Sequence, residues 1–218
     1  MPPASHARNF KLALACAGGV LAFDRISKDW VWNALRNEAP VKVIDGWLHL
    51  DFAFNTGSAF GLAAGQPWAS TLFSLIALGI IAGLFLMLWR LRPKHWLAAF
   101  GVGLSAGGAA GNLLCRLTRV HEMRVYGLEQ VGFHDLIEFG PRVAEAFDSG
   151  PLWIDIPRRG VVDFIVIYYQ PLHAWPAFNV ADIALSLGAV SLIAWVWRED
   201  EDVFSKPKPT RSDRAHER

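Results

Sequence analysis

Two aspartates stand in surroundings that make an ionised side chain costly. Asp163 lies in "GVVDFIVIYY", flanked by Val161, Val162, Phe164 and Ile165, and Asp182 opens the apolar stretch "VADIALSLGAVSLIAWVW" (180–197). A carboxylate at membrane depth persists only where something holds it, and so marks a functional face by default. Taken singly, Asp182 reads as a first-turn acid favoured by a helix N-terminus, three residues after the candidate N-cap Asn179. Asp163 alone reads as structural. Taken together at one edge of a bilayer, two carboxylates brought close resist double ionisation and share a proton, so that one is a base and the other an acid. Such a pair can hydrolyse an amide: the base activates water, and the acid protonates the carbonyl and then the leaving amine. By environment, Asp182 is the base and Asp163 keeps the shared proton.

Two other places set polar groups in apolar sequence. In "DRISK" (24–28), Asp24 and Lys28 are one helical turn apart and can pair, with a structural role as the first reading. In "GGAAGNLLCRL" (107–117), Gly107, Gly111 and the alanines between form a small face for close helix approach. Asn112 and Arg116 follow at four-residue spacing, and carboxylates are the natural acceptors for these donors. His121, His134 and Asp135 lack metal-ligand spacing, so neither a metal nor another cofactor is expected. Cys16 and Cys115 fall in apolar segments and read as free thiols.

The elements that must position these residues are helices of membrane length. Of 218 residues, 53% are hydrophobic, and they concentrate in charge-poor stretches that suggest spans over about 12–32, 69–89, 96–117 and 179–197. The first reaches spanning length only by running through Asp24. Trp30, Trp32, Trp68 and Trp175 mark one set of segment ends, and Trp89, Trp96, Trp195 and Trp197 the other, as in an interfacial aromatic belt. Arg8, Lys11, "RLRPK" (90–94) and the basic C-terminal stretch put the termini and the 90–94 turn in the cytoplasm by the positive-inside rule. Only four apolar residues separate Lys11 from Cys16, too few for a signal-peptide core. A net charge of +1 gives no reason to expect a nucleic-acid partner.

Between the spans, Leu48, Leu50, Phe52 and Phe54 alternate with polar or small residues, which predicts a strand ended by Asn55, Thr56 and Gly57. "VKVI" (41–44), joined through Asp45-Gly46, is its hairpin partner, and 41–61 reads as a small β-platform. In the long 118–159 loop, Leu136, Phe139, Val143 and Phe147 recur at helical spacing with Pro141 interrupting. That predicts a broken amphipathic element on the outer membrane surface, with an irregular loop as the alternative. Residues 1–10 and 199–218 read as cytoplasmic tails around a 11–198 domain. An ion pathway lined by Asp24, Lys28, Asp163 and Asp182 fits less well, because all four sit toward one side.

In this order, "DRISK", "FNTGSAF", "GGAAGNLLCR", "GVVDFI" and "FNVAD" resemble the motifs of lipoprotein signal peptidase (signal peptidase II), over residues ~12–117 and ~160–198. The resemblance implies a membrane all-α bundle of four transmembrane helices with a periplasmic β-platform, here carrying an inserted periplasmic loop (118–159). It implies a multi-pass aspartic endopeptidase of the bacterial inner membrane, monomeric and without cofactor, its site facing the periplasm. Such an enzyme removes signal peptides from diacylglyceryl-modified prolipoproteins, cleaving before the lipidated Cys. Asp163 and Asp182 become its catalytic dyad, Asn55, Gly57, Asn112, Arg116 and Asn179 substrate-binding residues, and Asp24 and Lys28 structural polar residues. Membrane lipids and globomycin-type inhibitors become expected partners. Three departures stand out: Cys115 replaces the family's Asp, Ser58 replaces an Ala, and the 118–159 loop is much longer. They motivate the alternative of a non-catalytic paralogue that binds lipidated signal peptides or a peptidase inhibitor.

Overall fold

The computed structural model describes residues 4–57, 68–92, 94–126, 141–146, 148, 150, 153–170 and 173–204. Helix α1 (Ala4–Ala34) runs unbroken through Asp24 and Lys28, and is followed by strands β1 (Val41–Ile44) and β2 (Leu48–Asn55). Helices α2 (Ala69–Arg90) and α3 (Trp96–Thr118) come next, then β3 (Val120–Tyr126), a short α4 at 141–146 and β4 (Trp153–Arg159). The chain continues with β5 (Val161–Gln170), β6 (His173–Ala174) and α5 (Val180–Phe204). Among the described residues, α2, α3 and Val180–Glu199 of α5 are long and apolar enough to cross a membrane.

The terminal helices extend past the apolar stretches: α1 begins at Ala4 and α5 runs to Phe204. Neither 4–10 nor 199–204 contains a Gly or Pro, so nothing in the chain stops the helix there.

α3 is the central helix, packed on α1 along one side and on α5 along another. Glycine permits this contact: a Cβ at Gly107 would lie 2.8 Å from the Ala17 carbonyl oxygen of α1. α2 is covered far less and presents exposed Leu75, Leu78, Phe85 and Leu86 outward, as a lipid-facing helix does. Trp30, Trp68, Trp89, Trp96, Trp175 and Trp197 are all about half exposed or more, whereas Trp32 and Trp195 turn partly inward.

The expected hairpin forms, with Gly46 at φ 72 in its turn, but the platform is larger than 41–61. Its strand order is β1-β2-β5-β6, so the apolar run around Asp163 is a sheet strand paired antiparallel to β2. Because β5 is apolar on both faces, it lacks the alternation that reveals a half-exposed strand. The sheet sits on the bundle through Val31, Leu35, Cys115, Val161, Val162 and Phe164.

Besides the helical stretch at 141–146, the 118–159 segment holds a strand pair that the amphipathic reading did not include. β3 and β4 form an antiparallel ladder from Val120↔Arg159 to Tyr126↔Trp153, and Val125, Ile154 and Ile156 bury against Val143 of α4. Ile154 and Ile156 alternate with Asp155, the period of a strand rather than a helix. Pro141 is the first described residue of α4, a place where the first helical position tolerates proline. Ser58, His134, Asp135, Leu136, Phe139 and Phe147 lie outside the described residues.

A Gly107→Val protein is expected to lose about 3 kcal/mol through overpacking between α1 and α3. Gly18→Ala is the control, since a Cβ there meets nothing within 4 Å. Thermal unfolding in detergent should show a marked fall in midpoint for the first and none for the second.

Candidate active site

One buried ammonium organises the polar centre of the bundle. Lys28 Nζ donates to Asp24 Oδ2 at 2.8 Å and to Asn112 Oδ1 at 2.7 Å, with Lys28 and Asp24 both within 2% of full burial. The other Asp24 oxygen accepts the Ala181 N–H at 3.0 Å, so α1 supplies a carboxylate to the first turn of α5. A Cβ at residue 111 would lie 2.5 Å from Asp24 Oδ2, so only glycine leaves room for this carboxylate against α3.

The start of α5 is closed by a reciprocal cap. Asn179 Oδ1 accepts from Asp182 N at 3.2 Å, and Asp182 Oδ2 accepts from Asn179 N at 3.0 Å. The second Asp182 oxygen accepts from Asn112 Nδ2 at 2.8 Å. The first-turn role read for Asp182 is therefore present, but it occupies only one of the two oxygens.

Asp163 reaches the same place from β5. The Phe178 carbonyl accepts the Phe164 and Ile165 N–H groups at 3.0 and 2.8 Å, and Phe178 N donates to Ile165 O at 3.1 Å. This bridge ties the residue before the α5 cap to the strand beside Asp163, and Asn179 Nδ2 then donates to Asp163 Oδ1 at 2.6 Å. A bulge in β2 shifts its register so that Ala53 pairs with Asp163. Asn55, two residues on and so on the same face, donates its Nδ2 to Asp163 Oδ2 at 3.0 Å. Its Oδ1 accepts the N–H of Gly57, whose φ of 124 and tight contact with Ala69 exclude a side chain. Asn179 Nδ2 also lies 3.2 Å from Asn112 Oδ1, so two side-chain amides connect the two carboxylates.

Asp163 is 4% exposed, and burial, reinforced by the charge of Asp182, pushes its carboxyl up to about 6. Amide donors from Asn55 and Asn179 oppose that shift without cancelling it.

Arg116 is not hydrogen-bonded to either acid. Its guanidinium stacks over Phe73 at 5.5 Å, and its buried Nε has no acceptor among the described residues, while both carboxylates act on it through charge. Cys115, at 3% exposure, packs in the apolar cluster, and its Sγ accepts Val162 N at 3.4 Å. Sequence reasoning had not anticipated that contact, the Phe178 bridge or the Asp24–Ala181 link, because all three use backbone groups whose partners are distant in the chain.

The platform is pinned by aromatic contacts at the end of α1. Trp32 meets Phe52, Phe54 and His121 edge-on, and the guanidiniums of Arg36 and Arg119 lie over its ring at 4.7 Å each. Burial and the neighbouring Arg36 hold the His121 imidazole below its usual range. Arg119 also pairs with Asp29 of α1.

Residues 16–198 match the family signal peptidase (SPase) II. The chain is 35% identical over 175 residues to the lipoprotein signal peptidase of Pseudomonas putida, covering 79% of each protein. It is 31% identical over 208 residues to that of Mycobacterium avium, covering 95% of this chain and 91% of the relative. Two bacterial membrane enzyme structures solved by the in meso method share its fold. The first, at TM-score 0.60 and 20% identity, covers 91% of this chain and 94% of that one; the second has TM-score 0.54 at 21% identity, covering 84% and 91%.

Lys28→Met leaves Asp24 buried without its cation and is expected to cost about 3 kcal/mol. Adding Asp24→Asn should recover a large part of the loss, because the uncompensated charge is then gone. Unfolding midpoints of the single and double variants in one detergent test this coupling.

Proposed function

The chain belongs to the signal peptidase II family, and from that membership we propose how it removes signal peptides from prolipoproteins: as an aspartic endopeptidase with Asp163 and Asp182 as its dyad. The observation that carries the reading is the amide bridge: Asn112 and Asn179 each donate to one carboxylate and contact each other, holding two acids from distant chain segments in one cluster. Asp182, hydrogen-bonded at a helix N-terminus, serves as the base that takes a proton from water. Asp163, the proton holder, gives its hydrogen to the scissile carbonyl as the water oxygen adds. Collapse of the tetrahedral species then breaks the C–N bond: the leaving amine takes the proton that Asp182 accepted, and one hydroxyl of the intermediate returns its hydrogen to Asp163, which restores both acids.

The substrate is a signal peptide followed by a diacylglyceryl-modified Cys, cut just before that Cys. Arg116, charged and not spent on a carboxylate, is positioned to hold a peptide carbonyl, and Asn55 and Gly57 line the approach from β2. α1 is the fourth span: its ionisable pair is satisfied internally while Leu14, Phe23 and Ile26 remain exposed on its surface. Both termini then lie in the cytoplasm of a bacterial inner membrane, with the dyad and sheet at the periplasmic face of a monomer. Globomycin-type cyclic peptides would compete at this site.

Asp163→Asn and Asp182→Asn are each expected to lower kcat at least 1,000-fold, on the order of losing a general acid or base, on a lipidated prolipoprotein in proteoliposomes. Near-native turnover by either variant would remove the dyad. Because the carboxyl of Asp163 is raised to about 6, its acid form is depleted as pH climbs past that value. For the free enzyme, kcat/KM should therefore fall about tenfold per pH unit on the alkaline limb. A pH profile flat from 5 to 9, in about unit steps, would contradict the assignment.

A further inference from the structure

At the end of the bundle opposite the dyad, a second polar site stands unexplained by peptide cleavage. Trp195 is 13 residues beyond Asp182 on α5, about 20 Å along the helix. There a mostly polar cavity of about 350 Å³ is lined by Lys94, His95, Trp195, Arg198 and Glu199 among others. Trp195 Nε1 is buried with no acceptor among the described residues. His95, 10% exposed, has its Nε2 3.2 Å from Glu199 Oε1 but without the alignment of a hydrogen bond. Buried N–H donors without acceptors are rare and call for a ligand with oxygen to offer.

A mostly apolar groove of about 450 Å³ opens beside this cavity and shares His95 and Trp195 with it. Gly83, Leu86 and Met87 of α2 form its wall, and Arg90 and Arg92 stand at its mouth. Among the described residues, the two linings carry four fixed cations, Arg90, Arg92, Lys94 and Arg198, and one carboxylate, Glu199, which pairs with Lys94 at 3.4 Å.

We propose that this double cavity binds one anionic phospholipid, its phosphate at Lys94, Arg198 and the Trp195 N–H, and an acyl chain in the groove along α2. Charge selects the ligand: an excess of guanidinium and ammonium groups beside an indole and an imidazole matches a phosphodiester. Shape selects a lipid over a free anion. Inorganic phosphate would fill the polar cavity and leave the apolar groove empty, whereas a lipid in the surrounding leaflet fills both. Exposed Trp89, Trp96 and Trp197 put this end of the bundle at headgroup level.

The test uses the full-length protein reconstituted in nanodiscs of equal parts phosphatidylglycerol and phosphatidylcholine, extracted into neutral detergent and weighed by native mass spectrometry. One retained phosphatidylglycerol, preferred over phosphatidylcholine by about tenfold, is expected. Lys94→Gln/Arg198→Gln should bring that preference near parity. Gly83→Leu should lower retention with no change of charge, into space where a Cβ meets nothing within 4 Å. Both proteins should cleave prolipoprotein normally in neutral detergent, which shows that they are folded. Equal retention of the two lipids, an unchanged preference in Lys94→Gln/Arg198→Gln, or unchanged retention in Gly83→Leu overturns the proposal. Release of the retained lipid by millimolar inorganic phosphate would also overturn it, since the site would then hold a headgroup anion alone.

Discussion

A single buried ammonium sets the terms for this molecule. Lys28 can stay charged between helices only if acceptors surround it, and the two it finds come from its own helix and from α3. Those acceptors are themselves shared: Asp24 reaches the first turn of α5, and Asn112 reaches both Asp182 and Asn179. Removing the ammonium therefore disturbs the junction of three helices and a strand at once. The charge count is also instructive. Lys28 and Arg116 face Asp24, Asp163 and Asp182, so the cluster is neutral when one proton resides among the acids, and burial together with the charge of Asp182 raises the carboxyl of Asp163.

Helix packing is subordinate to that cluster. Gly111 gives up its side chain so that the Asp24 carboxylate can lie against α3, and Gly107 brings the α1 backbone near enough for Lys28 to reach Asn112. The sheet adds the remaining acid. It is held by Trp32 between two guanidiniums on one side and by the Cys115–Val162 contact on the other. A thiol at residue 115 suits its place: it caps a backbone N–H while packing among Val31, Leu35 and Phe164, where a carboxylate would have to be desolvated. The departure from the family pattern leaves both Asp163 and Asp182 with full sets of amide donors.

Much of this was legible before any coordinates. The three apolar spans, the Asp24–Lys28 pair, the small face at Gly107 and Gly111, and the Asn179 cap are local patterns, and local patterns carry their own periodicity and spacing. The strand identity of residues 161–170 was not, because a strand apolar on both faces looks like any buried run. The β3–β4 ladder was missed for a related reason: four apolar residues at helical spacing drew the eye, while the alternation of Ile154 and Ile156 was shorter and interrupted by Pro157. Contacts made by backbone groups, such as Ala181 N to Asp24, leave no mark on residue type at the donor. Trp32 and Trp195 share the chemistry of the interfacial tryptophans, and only packing distinguishes them.

The β3–β4 unit leaves and rejoins the chain at neighbouring points. Val120 follows α3 by one residue, Arg159 precedes β5 by one residue, and the two are cross-strand partners. Cross-strand partners lie about 5 Å apart, a gap that a tight turn can close. Besides the His121 contacts with Trp32, Phe52 and Phe54, the ladder joins the rest of the molecule at two adjacent anchor points. A lineage can lengthen, trim or exchange what lies between those points without re-threading the bundle.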